Sequence, residues 1–516
     1  MLKRLPWAPS PAAVSSADVK RHIQSRRQGS GAKAIGLALA LAAIAVVAGF
    51  SVVVFGVFSP ALVLLLVLLA ALLYDFRIGV VALIIIYPLS ISRLMPSYSG
   101  VNPQNLLLAG TLVSYWLQRI GHRPDFRLLD KRMLLCYVVP FVLAGLAGAR
   151  YAGEIVQMGA VHGAEAVSSR NGFIVYLVIK PLLLVAMALM VAAAVRKSRQ
   201  PERFLTPFTI AAVIPGLMIC AYMAASGISL SALVTFRSFL SGLGLHANQF
   251  AVVLNMGIAT TLFTALAAPR STRRWVLLAA AMFLSMVLLL TFSRGGYLGF
   301  AVVLGAYFIY YRAGMKLLLG LVVLAAGLFF VPDAVVDRIT LGLTHGRADN
   351  FSSGRLTDIW PALLEEALNS PVWGHGLAYV GRSDAVISGR MMAVGQAHNA
   401  YLDLLLEMGL IGLVLVCVFF ATTYRDFKHL SKTEGNPLLA GFFRGASVGL
   451  LAMLVQAFTD DRLTPNAPQM LFWMAYGFML GRHPRMLRAD EAHASRPVGL
   501  APGAAAGAAG VGRAAR

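Results

Sequence analysis

Long apolar runs separated by short polar segments make up most of the chain. The runs are about 20 residues long, which is the length that an α-helix needs to cross the ~30 Å hydrocarbon core of a bilayer. They do not alternate with a period of two, which excludes a transmembrane β-barrel. The pattern therefore predicts an all-α polytopic membrane protein with about 12 to 14 transmembrane helices. We place the spans near residues 35–56, 59–74, 78–95, 104–119, 133–150, 173–194, 205–226, 247–268, 275–292, 296–311, 316–332, 400–422, 438–459 and 468–481.

Composition agrees with this interpretation. Of the 516 residues, 58% are hydrophobic and 13% are charged, whereas soluble domains carry about 25% charged residues. A soluble globular chain, a disordered chain and a collagen-like chain are excluded. The three cysteines, Cys136, Cys220 and Cys417, lie far apart in apolar runs, so they form neither a disulfide framework nor a zinc-binding pattern.

The distribution of basic residues predicts the orientation in the membrane. The net charge is +22, but the charges lie in short loops, which argues against a nucleic-acid partner. With the N-terminus inside, 31 basic residues fall on the inner side and 11 on the outer side, so both termini are expected in the cytoplasm. All 11 outer residues are arginine, whose planar fork suits phosphate groups; a GC-rich genome is the alternative explanation.

The spans and loops suggest five regions along the chain. We predict a basic cytoplasmic tail (1–34), a bundle of about 11 spans (35–332), a large periplasmic loop (333–399), C-terminal spans (400–481) and a disordered cytoplasmic tail (482–516). Within the loop, one apolar stripe at helical spacing predicts an amphipathic helix that Pro361 starts or kinks. Such a helix lies on the membrane surface or covers a cavity. The stripe comprises Leu356, Ile359, Trp360, Leu363, Leu364 and Ala367.

The most specific local sequence pattern begins at His398. On a continuous helix, His398 tops a face whose lower part is Gly409 and Gly412, which allows another helix to approach closely. A histidine at this end of a span suits a general base; an interfacial histidine satisfied by a backbone carbonyl is the alternative. Glu407, near the middle of the membrane, is either functional or a structural hydrogen-bonding partner of a neighbouring span.

A second pattern, Thr291 to Tyr297, forms a predicted turn on the outer side. Its Arg294-Gly295-Gly296 core combines a charge at the membrane surface with glycines that permit close approach, which suits a diphosphate. The alternative is a tight hairpin with a snorkelling arginine. Arg237 and Arg355 are further outer arginines. The outer histidines and acids show no metal-binding spacing, so we expect neither a metal nor a cofactor.

Taken together, these motifs resemble the O-antigen ligase and Wzy polymerase superfamily. The resemblance rests on Ser293-Arg294-Gly295-Gly296, Gly354-Arg355, Gly374-His375-Gly376, and His398-Asn399 followed by Gly409 and Gly412, over about 290–415. It implies a GT-C-like fold and a metal-independent, inverting glycosyltransferase. The implied donor is a glycan on undecaprenyl diphosphate at the periplasmic face of the bacterial inner membrane.

The resemblance also assigns roles to residues. His398 corresponds to the essential loop histidine, and Arg294 and Arg355 correspond to arginines that bind the donor diphosphate. We place Arg237 in the same group and treat Asn399, Glu407, Gly295 and Gly296 as supporting residues. The acceptor is a growing glycan, a lipid A–core sugar or a protein hydroxyl. The 14 predicted spans, where family ligases often have about 12, and the long basic N-terminal tail depart from the family pattern.

Three other functions remain open at this point. One is a protein O-oligosaccharyltransferase of the same superfamily. Another is a transporter or flippase for lipid-linked sugars, which needs charged residues along a membrane path and usually two similar halves. The spans contain few charges, namely Lys180, Asp403, Glu407 and Arg444, and show no such symmetry. A third is a structural subunit of an envelope complex, which predicts no role for His398.

Overall fold

The computed structural model describes residues 59–90, 102–118, 130–155, 167–227, 240–311, 354–391, 394–459 and 462–483. Predicted spans 35–56 and 316–332, the whole predicted N-terminal tail, most of the predicted C-terminal tail and Arg237 lie outside the described residues. Within the described ranges the ordered elements are helices, and no strand is present.

Thirteen helices organise these residues. They are α1 (Ser59–Tyr74), α2 (Phe76–Ser90), α3 (Pro103–Leu117), α4 (Lys131–Glu154), α5 (Arg170–Lys197), α6 (Pro201–Ala225), α7 (Ala247–Ala267), α8 (Thr272–Leu289), α9 (Arg294–Tyr311), α10 (Trp360–Ala367), α11 (Ala400–Thr433), α12 (Pro437–Gln456) and α13 (Met470–Arg482). Most have bounds within about five residues of the predicted spans, but α11 extends 11 residues beyond the predicted 400–422, and α10 lies in the predicted loop. Among the described helices, α4 to α8, α11 and α12 are long and apolar enough to cross a membrane. The predicted all-α polytopic membrane fold is confirmed.

The chain divides into two compact units. The first comprises residues 1–78 and 113–120. In its described part, the Ser114 hydroxyl donates to the Leu72 carbonyl, and the rings of Phe76 and Tyr115 lie 5.1 Å apart. The second comprises residues 79–112 and 121–516 and contains the predicted site residues that the structure describes.

Helix α7 is the central helix of the second unit. It is buried along almost its whole length and packs most extensively against α12. On α12, glycines recur every four residues, at Gly441, Gly445 and Gly449, and a Cβ on any of them would overlap atoms of α7. Small residues at this spacing let two helices approach closely in a membrane. The N-terminal end of α7 and the C-terminal end of α12 are thereby fixed relative to each other.

The predicted amphipathic segment is helical, but its apolar stripe is divided. Residues Arg355–Ile359 form a π-helical turn, and α10 follows with Pro361 in its first turn. Ile359 and Leu363 are buried, whereas Leu356 and Leu364 are exposed. The expectation of one continuous stripe was wrong because a π-helical turn bonds i to i+5 and so breaks the 3.6-residue period.

Helix α11 is interrupted in its interior. Gly409 has φ 66° and ψ −173°, which is not helical. The loop after α10 fills the break: Leu410 N donates to Pro371 O at 2.8 Å, and His375 N donates to Leu406 O at 2.7 Å. A Cβ on Gly409 would overlap the Val372 carbonyl. Non-helical backbone is tolerated inside a membrane protein when protein groups satisfy it in this way.

Candidate functional site

Three predicted site segments meet at residues 457–459, directly after α12. Ala400 N, two residues beyond His398, donates to Ala457 O at 2.9 Å. Arg355 Nη1 donates to Thr459 O at 2.9 Å. Gly295, next to Arg294, lies so close to Thr459 that a Cβ there would overlap the Thr459 hydroxyl. Segments that lie far apart in sequence therefore form one site.

His398 lies in a tightly held turn before α11, so the expectation that it tops a helical face was wrong. The helix begins at Ala400, and His398 has φ 53°. The preceding residue, Ala397, is held on both sides: its N–H donates to Asp403 Oδ1 at 3.0 Å and its carbonyl accepts from Trp360 Nε1 at 3.0 Å. A left-handed conformation costs a non-glycine residue about 1–2 kcal/mol, and such strain clusters at functional sites.

The His398 ring is half-buried and has a polar neighbour. Gln396 Nε2 lies 3.4 Å from His398 Nδ1. Asn399 caps α11, because its Oδ1 accepts from Tyr401 N at 3.1 Å and from Leu402 N at 3.3 Å. The supporting role predicted for Asn399 is thus that of a helix cap, which fixes where the helix starts.

Arg294 is the first residue of α9. Phe292, with φ 50°, turns the chain after α8, and the Ser293 hydroxyl accepts from Gly296 N at 3.0 Å. The half-buried Arg294 therefore emerges at a helix N-terminus, where the helix macrodipole favours an anion. The chain therefore turns between α8 and α9, as predicted for residues 291–297.

The two glycines after Arg294 have a different role from the one expected. They lie in the first turn of α9, and protein atoms occupy the space beside them. A Cβ on Gly296 would lie 2.5 Å from Ala251 Cβ, and one on Gly295 would meet Thr459. The glycines therefore bring α9 against α7 and against the segment after α12, which positions Arg294.

A buried amide network joins α7, α9 and α12 beneath the site. The Ser293 hydroxyl donates to Asn248 Oδ1 at 2.8 Å, and Gln456 Nε2 donates to Asn248 O at 2.9 Å. Asn255 Nδ2 donates to Gly296 O at 2.9 Å and lies 3.2 Å from Gln456 Oε1. Asn248, Asn255 and Gln456 were not predicted as functional. Polar residues inside apolar runs were the available signal.

As a result, the N-termini of three helices face one region. Asn248 is the second residue of α7 and bonds to the residue before α9, while Ala400 begins α11 and bonds to the residue after α12. Each helix N-terminus carries roughly half a positive charge. Together with Arg294 and Arg355, they form an electropositive site.

Glu407 is hydrogen-bonded to the loop between α10 and α11, and not to a neighbouring span as one interpretation of the sequence expected. The side chain is buried, and its Oε1 accepts from Ala378 N at 2.8 Å. Gly376 N also donates to Glu407 O at 2.9 Å. Glu407 therefore holds the loop that fills the break in α11.

The loop after α10 has its own buried polar centre. Glu366 accepts from Tyr379 OH at 2.7 Å and from Ala385 N at 2.6 Å. Burial, with Glu366 beside it, raises the pKa of Tyr379. Burial also lowers the pKa of Arg382, whose guanidinium stacks on Tyr151 and Tyr379 at 4.3 and 4.9 Å. These contacts fix the loop between α10 and α11, which leads to His398.

The described residues contain no cluster of three or more histidine, cysteine, aspartate or glutamate side chains able to hold a metal ion. Among the described residues, the site combines the guanidinium groups of Arg294 and Arg355 with the imidazole of His398. The arrangement is suited to neutralising an anionic leaving group and to accepting a proton.

The fold and the site define a polytopic membrane protein with arginines, a histidine and helix N-termini gathered at one polar site. Residues 279–417, 139 of the 516 residues, match the family model described as O-antigen ligase, and this match supports the resemblance of the chain to the O-antigen ligase and Wzy superfamily. The match includes Arg294, Arg355 and His398. It supports a glycosyltransferase-type enzyme of the ligase or polymerase kind, acting on a lipid-linked glycan and an acceptor. No curated protein matches the chain significantly.

Proposed function

We propose that the protein transfers a glycan from undecaprenyl diphosphate to an acceptor hydroxyl at the periplasmic face of the bacterial inner membrane. The convergence of the His398 turn, Arg294 and Arg355 on residues 457–459 carries this proposal. The family match supports the general class of enzyme. The excess of basic residues in the inner loops supports cytoplasmic termini and a periplasmic site.

The proposed chemistry needs two groups of residues. The bond between the anomeric carbon and the diphosphate oxygen breaks, and its electron pair leaves with the diphosphate. Arg294, Arg355 and the three helix N-termini stabilise that charge. His398 accepts the proton of the acceptor hydroxyl as its oxygen bonds to the anomeric carbon.

The proposed reaction inverts the anomeric configuration and needs no metal ion. The acceptor oxygen attacks opposite the leaving diphosphate, so one displacement inverts the anomeric configuration. Arginines supply the positive charge that a metal would otherwise provide. The role of Arg237 in diphosphate binding remains a sequence-based proposal.

Deletion of the gene with glycan analysis tests the proposal and identifies the acceptor. Accumulation of long glycans on the lipid carrier indicates a ligase, and single repeat units on the finished surface glycan indicate a polymerase. Loss of glycan from a protein indicates an oligosaccharyltransferase. Loss of the surface glycan, with the lipid-linked donor retained in the cytoplasmic leaflet, indicates a flippase and contradicts the proposal.

A further inference from the structure

Gln456 is a buried glutamine between the two arginines of the site. It is the last residue of α12, and its side chain is enclosed by protein. Its main chain is bonded to the segment that receives Arg355, and its side chain is bonded to the helices that carry and support Arg294. The two sets of bonds meet at one residue.

Arg355 is linked to Gln456 through Thr459. Arg355 Nη1 donates to Thr459 O at 2.9 Å. Thr459 N donates to Gln456 O at 2.9 Å, and the Thr459 hydroxyl donates to the same carbonyl at 3.1 Å. The turn after α12 is thereby closed on Gln456, which fixes the carbonyl that receives the Arg355 guanidinium.

The first turn of α9 is linked to the other side of Gln456 through Asn255. Gln456 Oε1 accepts from Asn255 Nδ2 at 3.2 Å. The same Nδ2 donates at 2.9 Å to the carbonyl of Gly296, two residues after Arg294. One oxygen of Gln456 therefore determines where the amide that holds this turn lies.

A second link reaches the residue before Arg294. Gln456 Nε2 donates to Asn248 O at 2.9 Å, and Asn248 Oδ1 accepts from the Ser293 hydroxyl at 2.8 Å. Arg294 is therefore held on both sides by groups that bond to the Gln456 side chain.

The packing leaves the two amides little freedom to move. A Cβ on Gly299 of α9 would lie 2.6 Å from Asn255 Nδ2 and 3.2 Å from Gln456 Oε1. A Cβ on Gly295 would lie 3.5 Å from Gln456 Cγ. Buried polar networks that are bonded and closely packed in this way make a structure rigid.

We propose that Gln456 is a positioning residue that sets the separation of Arg294 and Arg355, so that both guanidinium groups reach one donor diphosphate. Two groups bind one ligand well only when they are held close to the productive geometry. The proposal rests on the proposed function and adds a residue outside the family match, which ends at residue 417. A network that serves folding alone is the alternative.

Binding of undecaprenyl diphosphate to purified full-length protein in nanodiscs tests this proposal. Gln456→Met keeps the length of the side chain but removes both amide bonds, so Kd should rise roughly 3- to 30-fold. The same substitution in an Arg355→Ala background should raise Kd further by less than about 2-fold. The separation of two arginines no longer matters when one of them is absent.

Thr264→Val is the matched control. It removes another buried polar group from α7, a hydroxyl that donates to Thr260 O at 2.6 Å. Thr264 lies about 24 Å along the helix from Asn248, so this substitution should leave Kd unchanged.

Ser293→Ala provides a second variant if Gln456→Met is poorly folded. It removes the hydroxyl that joins Asn248 to the start of α9 and leaves Gln456 in place. Kd should rise in the same direction, and this rise should also fall below about 2-fold in the Arg355→Ala background.

The outcomes separate this proposal from the proposed function. Equal fold-losses with and without Arg355 would overturn the proposal, because a folding defect then explains the loss. An unchanged Kd for folded Gln456→Met, beside weak binding by Arg294→Lys, would also overturn it and leave the proposed function intact. If the wild-type protein does not bind the probe, the proposed function fails and this inference fails with it.

Discussion

Asp403 holds Ala397, the residue that precedes His398, through a hydrogen bond of 3.0 Å between the Ala397 N–H and Asp403 Oδ1. Both residues are buried. The carboxylate lies in the first turn of α11 and reaches back across the turn that carries His398. The sequence placed Asp403 among the few charges within a span, and the structure gives it a positioning role.

Asp403→Ala should therefore lower turnover about 10-fold without weakening donor binding. The change leaves the buried Ala397 N–H without this acceptor, which costs about 1–3 kcal/mol, and loosens the histidine turn. Asp403→Asn should restore most of the activity, because the amide oxygen accepts the same bond. The measurement is kcat and donor Kd for purified variants, with exposed Asp384→Ala as the control. Equal turnover of wild type and Asp403→Ala would remove Asp403 from the positioning of His398.

The diphosphate assignment predicts losses at two arginines. Arg294→Lys keeps the charge but loses the bidentate fork, and Arg355→Ala also loses the bond to Thr459. Each should lower kcat/KM for a lipid-diphosphate donor roughly 10- to 150-fold, the effect of one charge-assisted bond of ~1.5–3 kcal/mol.

Arg150→Ala is the control for these arginines. Arg150 is another arginine of the predicted outer side, and it lies at an exposed position near the end of α4. Its removal should change kcat/KM little. If both Arg294→Lys and Arg355→Ala retain full activity, arginine recognition of the diphosphate is excluded.

Gly409→Ala should displace the loop that fills the break in α11. Gly409 has φ 66°, and a Cβ would overlap the Val372 carbonyl, so the substitution combines backbone strain with a steric clash. We expect a lower melting temperature in detergent and faster proteolysis between residues 371 and 378. Gly305→Ala, in the interior of α9 with open space around its Cβ, should be neutral or stabilising by up to ~1 kcal/mol. A stable, protease-resistant Gly409→Ala protein would show that the break does not need glycine.

The orientation in the membrane is tested by labelling single cysteines in a cysteine-free background. Ser388→Cys, in the loop, and Gln200→Cys, between α5 and α6, are both at exposed positions. A membrane-impermeant maleimide added to whole cells with a permeabilised outer membrane should label the first and not the second. The opposite result would place the site in the cytoplasm and reject the proposed function.

The sequence predicted the helices well because about 20-residue apolar runs report helix length directly. It also predicted the turn at Arg294, since glycines and an arginine between two apolar runs leave few alternatives. It did not predict the break at Gly409, because the carbonyl that occupies that space belongs to Val372, 37 positions earlier. The prediction that His398 tops a helix face assumed that the helix includes His398, whereas α11 begins two residues later, at Ala400.

The sequence also did not predict that the three site segments converge on residues 457–459. Thr459 carries no motif, and its two contacts, with Arg355 and Gly295, join residues more than 100 positions away. The sequence did not predict the amide network at Gln456 either, because its members also lie far apart along the chain. Resemblance to the superfamily selected His398, Arg294 and Arg355, whereas only the fold shows what holds them together.

The role of His398 as a base fixes how activity depends on pH. A base must be neutral, so turnover should rise with pH through the range in which imidazoles ordinarily titrate, near 6.5. A histidine that binds the diphosphate as a cation should lose activity over the same range. The direction of the change therefore separates the two roles.

The most direct test is the turnover of purified His398→Ala, beside the wild type, on a lipid-diphosphate glycan donor at several pH values between about 5 and 8. The proposed mechanism predicts a loss of roughly 10²- to 10⁴-fold, with donor binding retained and with the pH-dependent rise of the wild type abolished. Wild-type turnover by a folded His398→Ala protein would contradict it and leave His398 as an interfacial residue of the turn before α11.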